Sequence, residues 1–226
     1  MQAKRILIIS LIVILPLVFL LNSCHDLDED GGYYDKKTGQ YKYVRPNKRG
    51  INQAEQKVDQ LRPGELQQIK GKVKKIESDG KTIWISMKDR QSYMIIASRL
   101  AMGNRDDEKK LLRIGLRYVA PMSTGKLRGK NRAQWRRIVL DRLKKDFLGK
   151  QITAEITYEQ KAKKIWGTIF RTIKTKKGAK VRNINLWMVY EGLSYYIIER
   201  GKSVDDKDFE KAQRLAKKRR SGVWNF

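Results

Sequence analysis

The sequence predicts a mainly β domain with helices, an α+β fold built on a small closed barrel, preceded by a membrane-anchoring segment. Short stretches alternate apolar and polar residues, as strands with one buried face do. A longer segment with apolar residues at helical spacing interrupts these strands. A nearly unbroken apolar run occupies residues 6–21. Together these patterns predict one globular domain attached to a membrane by its N-terminal end.

The N-terminal segment has the order of a secretory signal. Lys4 and Arg5 precede the apolar run, and Cys24 follows it closely. The run is shorter than the ~20 residues that span a bilayer. Its end resembles a bacterial lipobox, so we expect residues 1–23 to be a lipoprotein signal peptide and Cys24 to be the lipidation site. An uncleaved anchor is the alternative. We expect the domain in the cell envelope, outside the cytoplasm and lipid-anchored to a bacterial membrane.

Charge and the scarcity of two residue types limit the possible functions. The chain has 226 residues, with 51 Lys and Arg against 24 Asp and Glu, and a formal charge of +27. Such an excess predicts a polyanionic partner, nucleic acid or another polyanion. The single cysteine and the single histidine, His25, argue against an intrachain disulfide, a thiolate metal site and a Ser-His-Asp triad. We expect no cofactor and a monomer.

The remaining chain divides into a linker and a domain. Residues 24–64 are polar and rich in glycine, and we expect a tether there with a possible small hairpin. Residues 65–226 alternate between strand and helix patterns, with predicted strands at 66–78, 83–87, 91–97, 111–118, 152–158 and 165–172, and predicted helices at 131–148, 185–191 and 206–220. This order predicts a five-stranded barrel of the oligonucleotide-binding (OB) type with three helices. A generic α+β domain also fits the periodicity.

One predicted strand is set apart by its charge. Residues 111–121 read LLRIGLRYVAP, with Arg113 and Arg117 on the less apolar face and Pro121 at the end. A phosphate-binding site is therefore expected near the end of this strand. Four tryptophans stand at periodic apolar positions and are predicted to lie in the core: Trp135, Trp166, Trp187 and Trp224.

Motifs in the C-terminal third resemble the staphylococcal nuclease (thermonuclease-like) family. They are Val181-x-Asn183-x-Asn185-Leu186, residues 190–195 (YEGLSY), and the alanine- and lysine-rich segment that ends in residues 221–224 (SGVW). The turn Asp79-Gly80-x-Thr82 and the element Val119-Ala120-Pro121 are similar to two further family motifs. The resemblance covers about residues 65–225 and implies the five-stranded barrel with three helices.

The chemistry implied by this resemblance is metal-assisted hydrolysis of phosphodiesters, in which carboxylates hold Ca²⁺ and arginines stabilise the transition state. Several family positions are changed here. Lys81, Val119 and Met122 stand where the family has carboxylates, and Lys164 stands where the second arginine is expected. The first family arginine falls at Ile114, next to Arg113. A hard cation needs several anionic oxygens, so we expect no metal site and little catalysis.

The basic residues that remain define the predicted site. We expect phosphate to be bound by Lys81, Arg113, Arg117, Lys161, Lys163 and Lys164, with Arg113, Arg117 and Lys164 as weak catalytic candidates. The leading hypothesis is a membrane-tethered domain that binds nucleic acid or another polyanion without efficient catalysis. A second hypothesis is a Ca²⁺-dependent nuclease that uses replacement carboxylates, drawn from Glu77, Asp79, Asp141 and Glu159. A third is a structural envelope lipoprotein.

Overall fold

The computed structural model describes residues 32–34, 41–43, 60–123, 127–175, 178–198 and 206–226. The predicted signal peptide and Cys24 lie outside these residues. Two short strands precede the domain, β1 (Gly32–Tyr34) and β2 (Tyr41–Tyr43), and they pair antiparallel. None of the described helices is both long enough and apolar enough to cross a bilayer.

The domain itself contains, in chain order, β3 (Leu66–Ile76), β4 (Thr82–Met87), α1 (Arg90–Ala97), β5 (Arg105–Asp106), β6 (Leu111–Leu116), β7 (Val119–Ala120), α2 (Gly129–Phe147), β8 (Gln151–Glu159), β9 (Lys164–Thr175), β10 (Gly178–Asn183), α3 (Ile184–Tyr190), β11 (Tyr195–Tyr196) and α4 (Asp206–Lys218). Strands β9, β8, β3, β4 and β6 are antiparallel neighbours in that order. The parallel pairing of β6 with β9 joins the two ends of this series. The predicted five-stranded barrel and the α+β class are therefore confirmed.

Alternation along the strands builds the barrel core. In β8 every second residue is buried, including Ile152, Ala154 and Ile156. In β6 the buried side chains are Leu112, Ile114 and Leu116, and the residues between them are partly exposed. Because successive side chains in a strand point to opposite faces, Arg113 and Gly115 lie on the outer face of the barrel.

One predicted strand is wrong, because residues 91–97 lie within the helix α1 and bring the number of described helices to four. The Asp89 side chain caps the helix by accepting hydrogen bonds from the backbone N–H groups of Gln91 and Ser92. Tyr93, Ile96 and Ala97 are buried, at a spacing that fits a helix. The predicted third strand is replaced by β6, which occupies the third position of the barrel.

The other helices agree with their predicted locations. Helix α2 buries Trp135, Val139, Leu143 and Phe147, four residues at helical spacing. All of α3 is buried, and its Asn185 side chain accepts a hydrogen bond from Ile169 N–H and donates to the carbonyls of Arg117 and Gly167. This buried amide therefore joins α3 to β9 and to the turn after β6.

Candidate phosphate-binding face

The outer face of β4, β6 and β9 carries two tryptophans in adjacent clusters. Trp84 on β4 lies opposite Arg113 on β6, and Trp166 on β9 lies opposite Gly115 on β6. Both tryptophans are partly exposed. The prediction that Trp166 belongs to the core is wrong, because its neighbours Ile165 and Gly167 take the inward positions of β9 and leave Trp166 facing outward.

The first cluster joins Arg113 and Trp84 through one carboxylate. Arg113 Nη2 donates to Glu77 Oε2 at 2.8 Å, and Arg113 Nε donates to Glu77 Oε1 at 3.0 Å. Trp84 Nε1 donates to the same Oε1 at 2.7 Å. The hydrogen bond from Arg113 is the main reason why the pKa of Glu77 is lowered from its ordinary value, and Glu77 in turn raises the pKa of Arg113. The predicted phosphate ligand Arg113 is thus committed to a bidentate ion pair.

The second cluster gathers two lysines around one aromatic ring. Lys164 Nζ lies 4.4 Å and Lys81 Nζ 5.0 Å from the centroid of the Trp166 ring. Trp166 Nε1 donates to Glu159 Oε2 at 2.7 Å, and Lys164 Nζ lies 3.6 Å from the same oxygen. Ammonium groups are attracted to the face of an indole. The ring therefore holds the predicted ligands Lys81 and Lys164 close together.

Gly115 makes this arrangement possible. A Cβ atom at position 115 would lie 2.5 Å from Trp166 Cε3 and 2.6 Å from Cζ3, closer than real atoms approach. The indole therefore rests directly on the backbone of β6. The alternation of β9 was the one local signal that could have indicated a surface position for Trp166, whereas its pairing with Gly115 had none.

The other predicted ligands lie elsewhere. Arg117 lies in the turn after β6, with its guanidinium carbon 4.8 Å from the centroid of the Tyr118 ring. Lys161 and Lys163 are exposed in the turn between β8 and β9. The Lys163 carbonyl accepts hydrogen bonds from Ala101 N–H and from Asn104 Nδ2. Of the six predicted residues, the described contacts bring Lys81 and Lys164 together at one ring.

The segment at 98–110 forms an edge of this face. Asn104 donates to the Lys163 carbonyl at 3.0 Å, and its Oδ1 accepts from Arg113 Nη1 at 3.2 Å. This side chain joins the β8–β9 turn to the first cluster. Sequence reasoning missed Asn104, because a polar residue in a charged loop gives no signal of its long-range contacts.

Three of the four candidate replacement carboxylates accept hydrogen bonds from protein groups, and the fourth lies on α2. Asp79 accepts hydrogen bonds from the backbone N–H groups of Lys81 and Thr82 and from the Thr82 hydroxyl, so it organises its own turn. Glu77 and Glu159 are bound to the two indoles, and Asp141 is exposed on α2. Within the described ranges, no group of three or more Asp, Glu, His or Cys residues is placed to hold a metal ion.

The two positions after β6 where the resemblance implies carboxylates have apolar surroundings. Val119 is completely buried, with 0% exposure. Met122 packs against the turn before β4, since a Cβ on Gly80 would lie 3.2 Å from Met122 Cε. A carboxylate at position 119 would lose its hydration without gaining a described cationic partner.

Comparison with known proteins agrees with the resemblance seen in the sequence. Residues 124–226 match the family model described as staphylococcal nuclease homologue. Over these residues, which make up less than half of the chain, the sequence is similar to that family. Among solved structures, the extended Tudor domain of Drosophila melanogaster Tudor-SN (p100) is similar, at 13% identity and a TM-score of 0.46 over 71% of this chain and 100% of that one. No curated protein matches the chain.

Proposed function

We propose that this protein is a membrane-tethered domain that binds nucleic acid or a comparable polyanion without efficient hydrolysis. The Trp166 cluster carries the proposal. It places two ammonium groups, on Lys81 and Lys164, within 5.0 Å of the centroid of one indole ring, and Lys164 Nζ lies 3.6 Å from the Glu159 carboxylate. Phosphates spaced along a single strand are suitable partners for such fixed cations.

The absence of efficient hydrolysis rests on a different set of residues. The candidate carboxylates Glu77, Asp79 and Glu159 are bound to protein donors, and Val119 is buried. A metal ion would have to displace these hydrogen bonds. The tether rests on the apolar run at residues 6–21 and on Cys24.

Salt dependence tests the binding. We expect the full chain, purified in a neutral detergent, to bind a labelled single-stranded oligonucleotide with an affinity that falls steeply as salt rises. The paired variant Lys81→Gln/Lys164→Gln should lower the slope of log K against log salt by about 0.7 per cation removed. Fluorescence anisotropy at several salt concentrations measures both quantities.

The matched control is Lys144→Gln/Lys145→Gln, which removes the same charge from exposed positions on α2. An equal loss in both variants would mean that general charge, and not the Trp166 cluster, carries binding. Incubating the wild-type protein with DNA and Ca²⁺ tests the alternative directly, since cleavage abolished by a chelator would establish the nuclease. For the tether, Cys24→Ala should prevent lipidation, so that less of the protein is recovered with the membrane fraction.

A further inference from the structure

A cleft lies along α1. It has a volume of about 310 Å³ and lies between one side of α1 and the segment at residues 105–110, lined by Arg90, Tyr93, Met94, Ala97, Ser98, Arg105, Asp107 and Lys110. This volume is at the lower end of the range for small-molecule sites. Part of its lining belongs to the segment at residues 98–110, which also forms an edge of the face described above, but none of its lining residues belongs to the two tryptophan clusters.

The walls of the cleft are joined by hydrogen bonds. Tyr93, which is 2% exposed, donates from its hydroxyl to the Asp106 carbonyl at 3.0 Å and to Asp107 Oδ1 at 2.9 Å. Arg105 Nη1 donates to the Ala97 carbonyl at the end of α1, and Arg105 Nε lies 3.1 Å from Asp107 Oδ2. Burial, and then the contact with Asp107, raises the pKa of Tyr93 to about 12, so this hydroxyl remains a donor at neutral pH. The cleft is therefore preformed.

The same contacts leave positive charge at the mouth of the cleft. Asp107 is paired with Arg105, so this acid and this base offset each other. Arg90 and Lys110 are exposed, and neither forms an ion pair with any residue that the structure describes. Met94 contributes an apolar surface with 58% exposure. Two cations beside an exposed thioether suit a ligand that has an anionic group and an apolar part.

We propose that this cleft is a binding site for a small organic phosphate, with Arg90 and Lys110 holding the phosphate and Met94 contacting the apolar part. The site is independent of the polyanion binding proposed above. Its ligand is a compact molecule held by a guanidinium and an ammonium, and not an extended strand. No covalent step is involved.

Phenyl phosphate and inorganic phosphate are suitable probes, because they share the anionic group and differ in the apolar ring. We expect the full chain, labelled at its methionine methyl groups and held in a neutral detergent, to show a saturable shift of the Met94 methyl NMR signal with phenyl phosphate. Inorganic phosphate should bind more weakly. Met102, which is 83% exposed and lies outside the cleft lining, should not shift and serves as the internal reference.

Variants separate this site from general charge. Arg90→Gln/Lys110→Gln should weaken phenyl phosphate binding by about tenfold or more, since hydrogen bonds to charged groups are worth more than neutral ones. Lys144→Gln/Lys145→Gln removes the same charge and should change the affinity less than about twofold. The variants should keep the thermal midpoint of the wild type, because all four side chains are exposed.

Three results would overturn the proposal: no saturable shift of Met94, an equal loss in both paired variants, or unchanged binding in Arg90→Gln/Lys110→Gln. The variant Lys81→Gln/Lys164→Gln distinguishes this site from the polyanion face. If it loses oligonucleotide binding and keeps the Met94 shift, both proposals stand separately. If the Met94 shift is absent while oligonucleotide binding responds to Lys81 and Lys164, this cleft fails alone.

Discussion

The two tryptophan clusters on the barrel share a plan and differ in how a cation meets the glutamate. In each, an indole N–H donates to a glutamate that also meets a cation, through Glu77 at Trp84 and through Glu159 at Trp166. At Trp84, Arg113 fits the glutamate in a bidentate pair, and Lys75 Nζ lies 5.8 Å from the ring centroid. At Trp166, two ammonium groups share the ring with one glutamate. The first arrangement is therefore centred on a bidentate ion pair, and the second on two ammonium groups around one indole.

This difference follows from the chemistry of the two kinds of cation. A planar guanidinium matches a carboxylate in two hydrogen bonds, which satisfies both groups within the protein. Ammonium groups placed over an indole gain from the ring and still present N–H donors to solvent. The position of Arg113 on the outer face therefore does not by itself make it a phosphate ligand, since Glu77 already accepts two of its hydrogen bonds.

The largest expected effect on stability comes from Gly115→Ala, which tests whether the Trp166 ring packs on the backbone of β6. The new Cβ would overlap the Trp166 ring, so the ring must move and the free energy of unfolding should fall by about 1–3 kcal/mol. Chemical denaturation followed by tryptophan fluorescence measures the loss. Gly103→Ala is the control, because a Cβ at that position has no neighbour within 4 Å. Equal stability of the two variants would contradict the packing of Trp166 on β6.

A smaller effect is expected from Glu77→Gln, which removes the carboxylate from the first cluster. At neutral pH, the free energy of unfolding should fall by about 1–2 kcal/mol, because Arg113 loses its charged acceptor. The folded-state pKa of Glu77 is lowered, so its contribution is complete above the ordinary carboxylate pKa and is lost as the pH falls through the lowered value. Unfolding curves at several pH values should therefore converge for the two proteins in acid. A difference that stays constant with pH would show that Glu77 does not titrate as described.

The smallest effect on stability is expected from Glu159→Gln in the second cluster. Glutamine can still accept the hydrogen bond from Trp166, and the partly exposed ion pair with Lys164 is worth less than about 1 kcal/mol. Affinity for a single-stranded oligonucleotide at low salt should rise by a few-fold, since the carboxylate no longer competes for the lysines. Glu210→Gln, at an exposed position on α4, is the charge-matched control. If both variants gain equally, overall charge and not the position of Glu159 at the Trp166 cluster determines the affinity.

The barrel was predictable where alternation and length agreed. β8 shows strict alternation over nine residues, and the sequence predicts it correctly. Residues 91–97 (QSYMIIA) do not alternate apolar and polar residues, and the strand predicted there is wrong. They form α1, because Asp89 supplies an N-cap and the buried residues Tyr93, Ile96 and Ala97 fit helical spacing.

The sequence predicted which basic residues belong to the candidate site better than it predicted how they are arranged. Lys81 and Lys164 were expected to bind phosphate, and the structure places both at Trp166. The role of Trp166 was missed because the size and apolar character of a tryptophan favour burial. Its location depends on the register that sets it opposite Gly115, across a parallel pairing between segments far apart in the chain. Local patterns carry no information on such a pairing.

The parallel pairing of β6 with β9 has a consequence for how the barrel opens. It consists of three residue pairs, whereas β8 and β9 share seven. Amide hydrogen exchange should therefore be fastest among the barrel strands along this junction, where local opening breaks the fewest bonds. Opening also separates Trp166 from Gly115 and disperses the two lysines. A bound polyanion would accordingly slow amide hydrogen exchange at residues 165–167, so this exchange rate would report binding at the Trp166 cluster.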